Sequence, residues 1–235
     1  MHNILIDIVT KKRADLAVAA QHLPLEKLRQ QALAANYHST FADKITHAQG
    51  TAIIAEIKLA SPSHPHLGDA ADIPQRARTY EQAGADAISF ITERHYFKSD
   101  TAHIPLLKKV TGLPVLQKDF VVDEYQVYQA RLIGSDALLL IARLVTGIEL
   151  RTLVSLAQKV GIEPVVEIND QDDLAKALAT TTQFIAVNAR DLSTFKIDVA
   201  AADALLRAIP ATYIRLGFSG ITSAIEVKQY AAAGA

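Results

Sequence analysis

The sequence predicts an α/β fold, a TIM (β/α)8-type barrel with an N-terminal helical extension, and three observations carry that expectation. Short apolar runs alternate with helix-length segments seven times along the chain. A glycine-led phrase recurs where helices should hand over to strands. No strand-like run is followed by G-x-G-x-x-G, the fingerprint that a doubly wound dinucleotide-binding sheet would carry.

The strand-like runs are residues 52–57, 87–91, 114–116, 137–141, 164–168, 184–187 and 213–216. Most are continuous apolar stretches, the pattern of parallel strands covered on both faces. Between them, residues 73–83, 124–132, 147–160 and 198–209 have helix length and amphipathic spacing. Such alternation argues for a parallel sheet with helical crossovers. Ahead of these units, Ile4, Leu5, Ile8, Leu16 and Ala20 fall near helical spacing, and a second helix is expected after Pro24. Residues 1–50 therefore read as a helical extension covering part of the barrel. Residues 51–235 hold βα units one to seven, and the whole reads as one domain.

Gly84-Ala85-Asp86-Ala87 and Gly134-Ser135-Asp136-Ala137 are the recurring phrase. Glycine ends a helix in a left-handed turn, and an apolar strand follows within a few residues. Ala233-Gly234-Ala235 opens the phrase a third time, so an eighth strand is expected to follow it.

Composition narrows the function classes. Half of the 235 residues are hydrophobic, 21% are charged and the net charge is −1, so no basic surface favours nucleic acid. An anionic substrate must be drawn by local lysines and backbone dipoles. The absence of cysteine excludes disulfides, thiolate metal sites and a cysteine nucleophile, and fits a cytoplasmic protein. Residues 4–9 are apolar but are broken by Asp7 and followed by Lys11, Lys12 and Arg13, which is not the pattern of a signal peptide. The longest apolar run, 137–142, has strand length and falls far short of the ~20 residues of a membrane helix.

In a barrel the chemistry sits at the carboxyl ends of the strands. The first run ends in Glu56 and Lys58, two apart and so on one face. The third ends in Lys118-Asp119, the fifth in Glu167, the sixth in Asn188 followed by Arg190, and the seventh in Ser219-Gly220. Lysine and glutamate rarely enter apolar runs unless paired or functional. For Glu56 and Lys58 alone, a salt bridge inside the barrel explains them as well as catalysis does. Five polar strand ends aimed at one mouth favour a site. His64 and His66 flank a proline with no third ligand nearby, so no metal is expected.

These segments resemble the indole-3-glycerol-phosphate synthase family. Ile54-Ala55-Glu56-Ile57-Lys58 with Ala60-Ser61-Pro62-Ser63 is similar to the family's first-strand signature, I-A-E-[IV]-K-x-A-S-P-S. Leu113 to Phe120 followed by Asp123-Glu124-Tyr125-Gln126 is similar to its third-strand segment. Val166-Glu167, Asn188-Ala189-Arg190-Asp191-Leu192 and Ser219-Gly220-Ile221 follow in the family's order. The resemblance implies a cofactor-free ring closure of 1-(2-carboxyphenylamino)-1-deoxyribulose 5-phosphate, with loss of carbon dioxide and water. It implies Lys118 as general acid and Lys58 at the substrate carboxylate, leaving open how the two lysines share proton donation. Glu167 becomes the base or acid of dehydration, Glu56 the group that orients the lysines, and Asn188 a partner of a substrate hydroxyl. Arg190, Leu192 and Phe97 would shape the anthranilate end, and Ser61 with Ser219-Gly220 would bind phosphate. The phosphorylated small molecule is the expected partner, with the protein a monomer or weak homo-oligomer.

The sequence departs from the family pattern in three places. Phe218 stands where a glutamate usually precedes the serine–glycine pair, which should alter the local charge and narrow the pocket. His64-Pro65-His66 replaces a lysine and glycine in a loop expected to cover the substrate. The family's eighth strand, glycine–serine phosphate turn and last helix would lie beyond Ala235. Two other readings compete: a related phosphate-binding barrel such as a phosphoribosylanthranilate isomerase, against which the lysine pair argues, and an impaired barrel fragment that self-associates through unpaired strand edges.

Overall fold

The computed structural model describes residues 4–36, 38–191 and 196–235. Seven parallel strands pair in sequence order, β1 (Ile54–Ile57), β2 (Ala87–Ile91), β3 (Val115–Lys118), β4 (Ala137–Ile141), β5 (Glu163–Ile168), β6 (Phe184–Asn188) and β7 (Ile214–Phe218). Each is followed by a helix: α4 (Ile73–Gln82), α5 (His103–Val110), α6 (Glu124–Ile133), α7 (Gly147–Lys159), α8 (Gln171–Leu178), α9 (Val199–Ala208) and α10 (Ala224–Ala232). This is the expected TIM-type α/β architecture with seven βα units, in which β1 and β7 form the two sheet edges.

Period-two alternation along the strands separates two apolar layers. In β4, Ala137, Leu139 and Ile141 face the barrel interior with Leu116, Val165, Phe184, Ala186 and Leu216. Leu138 and Leu140 face outward and pack with Val166, Ile168, Ile185 and Val187 against the helices. The same parity carries the polar strand ends inward. Glu167 follows inward Val165 by two, and Asn188 follows inward Ala186 by two, so both stand above the apolar filling.

The structure extends three of the expected strands at their carboxyl ends, starts β5 one residue earlier at Glu163 and starts β1 two residues later at Ile54. β3 runs on through Gln117 and Lys118, β6 through Asn188 and β7 through Gly217 and Phe218. Apolar content ends where each run stops being greasy, but ladder pairing continues through Ile91↔Lys118 and Asn188↔Phe218. α5, α8 and α10 were not distinguished by sequence pattern; they have eight, eight and nine residues.

The recurring phrase has a backbone reason and a side-chain reason. Gly84 and Gly134 both adopt φ +85°, which lets the helix end in a left-handed residue. Asp86 then accepts the N–H of Ile53, just ahead of β1, at 2.8 Å, and Asp136 accepts the N–H of Val115, the first residue of β3, at 2.7 Å. Each aspartate therefore ties its own unit to the start of the preceding strand. Asp136 is fully buried and also meets the Lys108 ammonium at 2.6 Å.

The extension comprises three helices, α1 (Ile4–His22), α2 (Leu25–Ala34) and α3 (Phe41–Thr46); α3 is an addition to the two expected. α3 closes the barrel floor, with Phe41 edge-on to Phe184 at 5.5 Å. α2 lies along α6 on the outside. α1 crosses the opposite rim, where Lys12 forms a buried ion pair with Asp119 at 2.7 Å. The second Asp119 oxygen accepts from the Thr92 hydroxyl at 2.8 Å.

Two predictions follow from this packing. Lys12→Met leaves the Asp119 charge buried without its cation and is expected to cost about 3 kcal/mol, read from the denaturant midpoint. Asp119→Asn in that background should cost much less than it does alone, and a neutral Lys12→Met would contradict the reading. At the barrel floor, burial pushes the Glu163 carboxyl from its ordinary 4.5 up to about 7. A carboxyl whose folded value is raised becomes a growing burden as pH climbs from about 4.5 to about 7. Glu163→Gln should therefore stabilise the protein above neutrality and leave it unchanged in acid, as measured by thermal unfolding across pH.

Candidate active site

Glu56 is the centre of the polar cluster at the strand carboxyl ends. It points inward from β1, and Lys58, one residue past the strand, shares its face. The Lys58 ammonium lies 2.5 Å from Glu56 Oε1, and the Lys118 ammonium, from the end of β3, lies 3.3 Å from Glu56 Oε2. One carboxylate thus bridges two lysines from different strands. Burial alone would raise the Glu56 carboxyl, but Lys118 and Lys58 outweigh it and hold it down at about 2. Burial likewise pulls Lys118 down, yet Glu56 and Glu167 together keep it above the ordinary lysine value. The salt bridge that explains Glu56 and Lys58 without catalysis is therefore present, but it is shared with a third group and opens onto a cavity.

Glu167 supplies the opposite chemistry. It is fully buried, and burial raises its carboxyl above the usual range despite Lys118 and a hydrogen bond from Asn188. Asn188 Nδ2 donates to Glu167 Oε1 at 3.1 Å. Glu167 Oε2 is buried with no hydrogen-bond partner among the described residues. Asn188 is itself held: its Oδ1 accepts the Arg190 N–H at 3.1 Å, and its carbonyl accepts from the Asn169 amide at 2.9 Å. Behind it, Arg143 joins three carboxylates, those of Asp170 and Asp173 at the start of α8 and of Asp191 after β6, at 3.1, 3.3 and 3.5 Å.

These groups surround one cavity of about 320 Å³. Its lining includes Glu56, Lys58, Ser61, Phe97, Lys118, Glu167, Asn188, Arg190 and Ser219, nine of the residues singled out in the sequence. Gly220 is adjacent without lining it. Ser219 and Gly220 adopt φ +65° and +70°, and a Cβ on Gly220 would come within 3.0 Å of Val199, so the tight turn requires glycine there. Leu192 lies outside the described residues. Phe218 stacks its ring 5.1 Å from the Lys118 ammonium, a cation–π contact, and is not part of the cavity lining. The expected narrowing by Phe218 is thus not what the geometry gives; the ring backs the lysine.

The sequence reading missed the apolar half of the lining, Ile91, Phe120 and Ile141, each at or just past a strand end. Apolar strand ends carry no polar signal, though their position in the runs would have located them. His64, in the loop expected to cover the substrate, lines the cavity as well, and beside it stands Leu67, which the sequence reading missed. There Ser61 and His64 form a tight two-stranded bridge, with Ser61 N–H donating to the His64 carbonyl at 2.8 Å and Ser63 Oγ 3.0 Å from His64 Nδ1. Among the described residues no group of three or more potential ligands gathers to hold a metal.

Comparison with known proteins addresses the same region. The indole-3-glycerol phosphate synthase family pattern matches residues 5–235. An indole-3-glycerol phosphate synthase of Caldanaerobacter subterraneus subsp. tengcongensis is 37% identical over 224 residues, covering 95% of this chain and 86% of the relative. That of Desulfosudis oleivorans is 38% identical over 237 residues, covering 100% and 90%. That of Thermoanaerobacter pseudethanolicus is 36% identical over 231 residues, covering 98% and 88%. A barrel whose polar rim gathers two lysines, two glutamates and an asparagine, matched along nearly its full length by these relatives, belongs to the indole-3-glycerol phosphate synthase family.

Proposed function

We propose that the cavity catalyses ring closure of 1-(2-carboxyphenylamino)-1-deoxyribulose 5-phosphate to indole-3-glycerol phosphate. The single observation that carries this is the bridging of Lys58 and Lys118 by Glu56 together with a buried Glu167, all lining one cavity. In the first step the aromatic carbon bearing the carboxylate bonds to the ketone carbon, and the ketone oxygen gains charge. Lys118, kept protonated by its two carboxylate neighbours, delivers the proton to that oxygen. Lys58 holds the substrate carboxylate until it departs as carbon dioxide and the ring regains its aromaticity. An ammonium of the lysine pair then gives a proton to the new hydroxyl, which leaves as water while the adjacent methylene carbon loses a proton. Glu167 takes that proton through its unpartnered oxygen, a task suited to a carboxyl whose affinity for protons is raised by burial.

Asn188 orients Glu167 and a substrate hydroxyl. Phe97 and Phe120, tilted together with ring centres 6.1 Å apart, form the apolar wall for the anthranilate ring, and Arg190 lines the same cavity. Ser61 and the Ser219-Gly220 turn receive the phosphate, where backbone N–H groups can approach an anion closely. The protein acts on this small molecule in the cytoplasm, as a monomer or weak oligomer. The absence of thiols supports that compartment, and no helix of the described residues is long and apolar enough to cross a membrane.

Because the chain has no tryptophan, the indole product is read by its own fluorescence. Lys118→Ala is expected to lower kcat by about a thousandfold and Glu167→Gln by about a hundredfold or more, with thermal unfolding little changed. Wild-type protein that leaves the substrate unchanged would refute the function, and unimpaired variants would refute the roles. The pH profile carries a second prediction. The acid limb should lie above the ordinary carboxyl range because Glu167 must be ionised and its value is raised. The alkaline limb should lie above the ordinary lysine value, where Lys118 loses its proton. Glu167→Gln should abolish the acid limb of the residual activity and spare the alkaline one; persistence of both limbs would assign the base elsewhere.

A further inference from the structure

We propose that Glu93 is a positioning residue for the apolar wall of this cavity: its carboxyl group shapes the turn that carries Phe97 and so sets where the aromatic end of the substrate lies. The inference rests on the ring-closure reading given above.

Glu93 follows β2 at the catalytic rim. It is fully buried and does not line the cavity. A buried carboxyl group is costly unless its oxygens are satisfied. Here Oε1 accepts the backbone N–H of His95 at 2.9 Å, and Oε2 accepts those of Tyr96 at 2.7 Å and Phe97 at 3.0 Å. The Glu93 carbonyl accepts the Ser99 N–H at 3.1 Å. Segment 93–99 therefore closes on itself with one side chain at its centre. Lys98 takes φ +52°, a left-handed conformation without glycine, which such a closed turn must enforce.

The two faces of the turn are fixed by different means. On the outside, the Tyr96 hydroxyl donates to Asp7 of α1, the Lys11 ammonium sits 4.6 Å from the Tyr96 ring centre, and His95 meets Asp15 at 2.9 Å. On the inside, Phe97 reaches the cavity and leans on Phe120. α1 holds side chains of the turn, whereas Glu93 holds its backbone. The backbone of Phe97 is one of the three groups that Glu93 grips, so the direction of the ring follows from that carboxyl group.

A double-mutant cycle on Glu93→Gln and Phe97→Ala tests this, read in kcat/KM for ring closure and in the dissociation constant for indole-3-glycerol phosphate. Glutamine keeps one acceptor oxygen where the carboxyl group has two, so at least one N–H of the turn loses its partner. Glu93→Gln is expected to lower kcat/KM about tenfold, through KM, and to weaken product binding by a similar factor while the pH profile stays in place. In the Phe97→Ala background it should change neither readout by more than about twofold. Equal losses in both backgrounds, or no loss in either, would overturn the proposal. If Glu93→Gln does not fold, Glu93→Asp enters the same cycle, and failure of both to fold would assign Glu93 to stability instead. Product binding without turnover would remove the ring-closure reading and leave the binding cycle to decide on Glu93; loss of both in the wild type would sink the two together.

Discussion

The site depends on one carboxylate shared by two ammonium groups. Lys58 and Lys118 come from β1 and β3, separated by β2, and without Glu56 between them they would repel across a common cavity. Glu56 turns that repulsion into attraction on both sides, at 2.5 and 3.3 Å. The remaining features serve this arrangement. Parallel pairing sets Glu56 level with Ser89 and Ile91 level with Lys118, so the cations arrive at one height. The ring of Phe218 offers the second cation a further electron-rich surface.

Around this centre the molecule divides by height. The floor is largely apolar, with Phe41 against Phe184, Asp136 gathering Lys108 and a backbone N–H, and Glu163 as the carboxyl group that burial burdens there. The rim carries groups whose proton affinities have been pushed apart, Glu56 down and Glu167 up, within one cavity. Two carboxyl groups with opposite displacements can hold different charge states at one pH, which a two-stage proton relay needs. The N-terminal extension spans both levels, since α3 closes the floor while Lys12 of α1 reaches Asp119 beside Lys118.

Much of this was legible in the sequence, and the reason is geometric. A polar residue inside an apolar run is conspicuous, and strand parity sends Glu56, Lys58, Lys118, Glu167 and Asn188 to the same side. The seven units were legible for the same reason, because continuous apolar runs mark buried parallel strands. What could not be read was anything set by partners distant in sequence. The extra length of β3, β6 and β7 comes from ladder pairing. The roles of Asp119 and Glu93 could not be read either, since their partners, Lys12 and three backbone N–H groups, appear only in three dimensions. The cation–π role of Phe218 was hidden too, because its sequence position suggests obstruction of the pocket and its ring instead turns to Lys118.

The aspartates of the repeated glycine-led phrase have a consequence for how such a barrel comes together. Asp86 and Asp136 each fasten the N–H at the start of the strand laid down just before them, so the second and fourth units hold the alignment of the first and third. Growth by neighbouring increments needs only modest loop closures, in contrast to sheets whose adjacent strands are remote in the chain. Errors of alignment are then caught one step after they arise, and a nascent polypeptide can build the cylinder in the order in which it is synthesised.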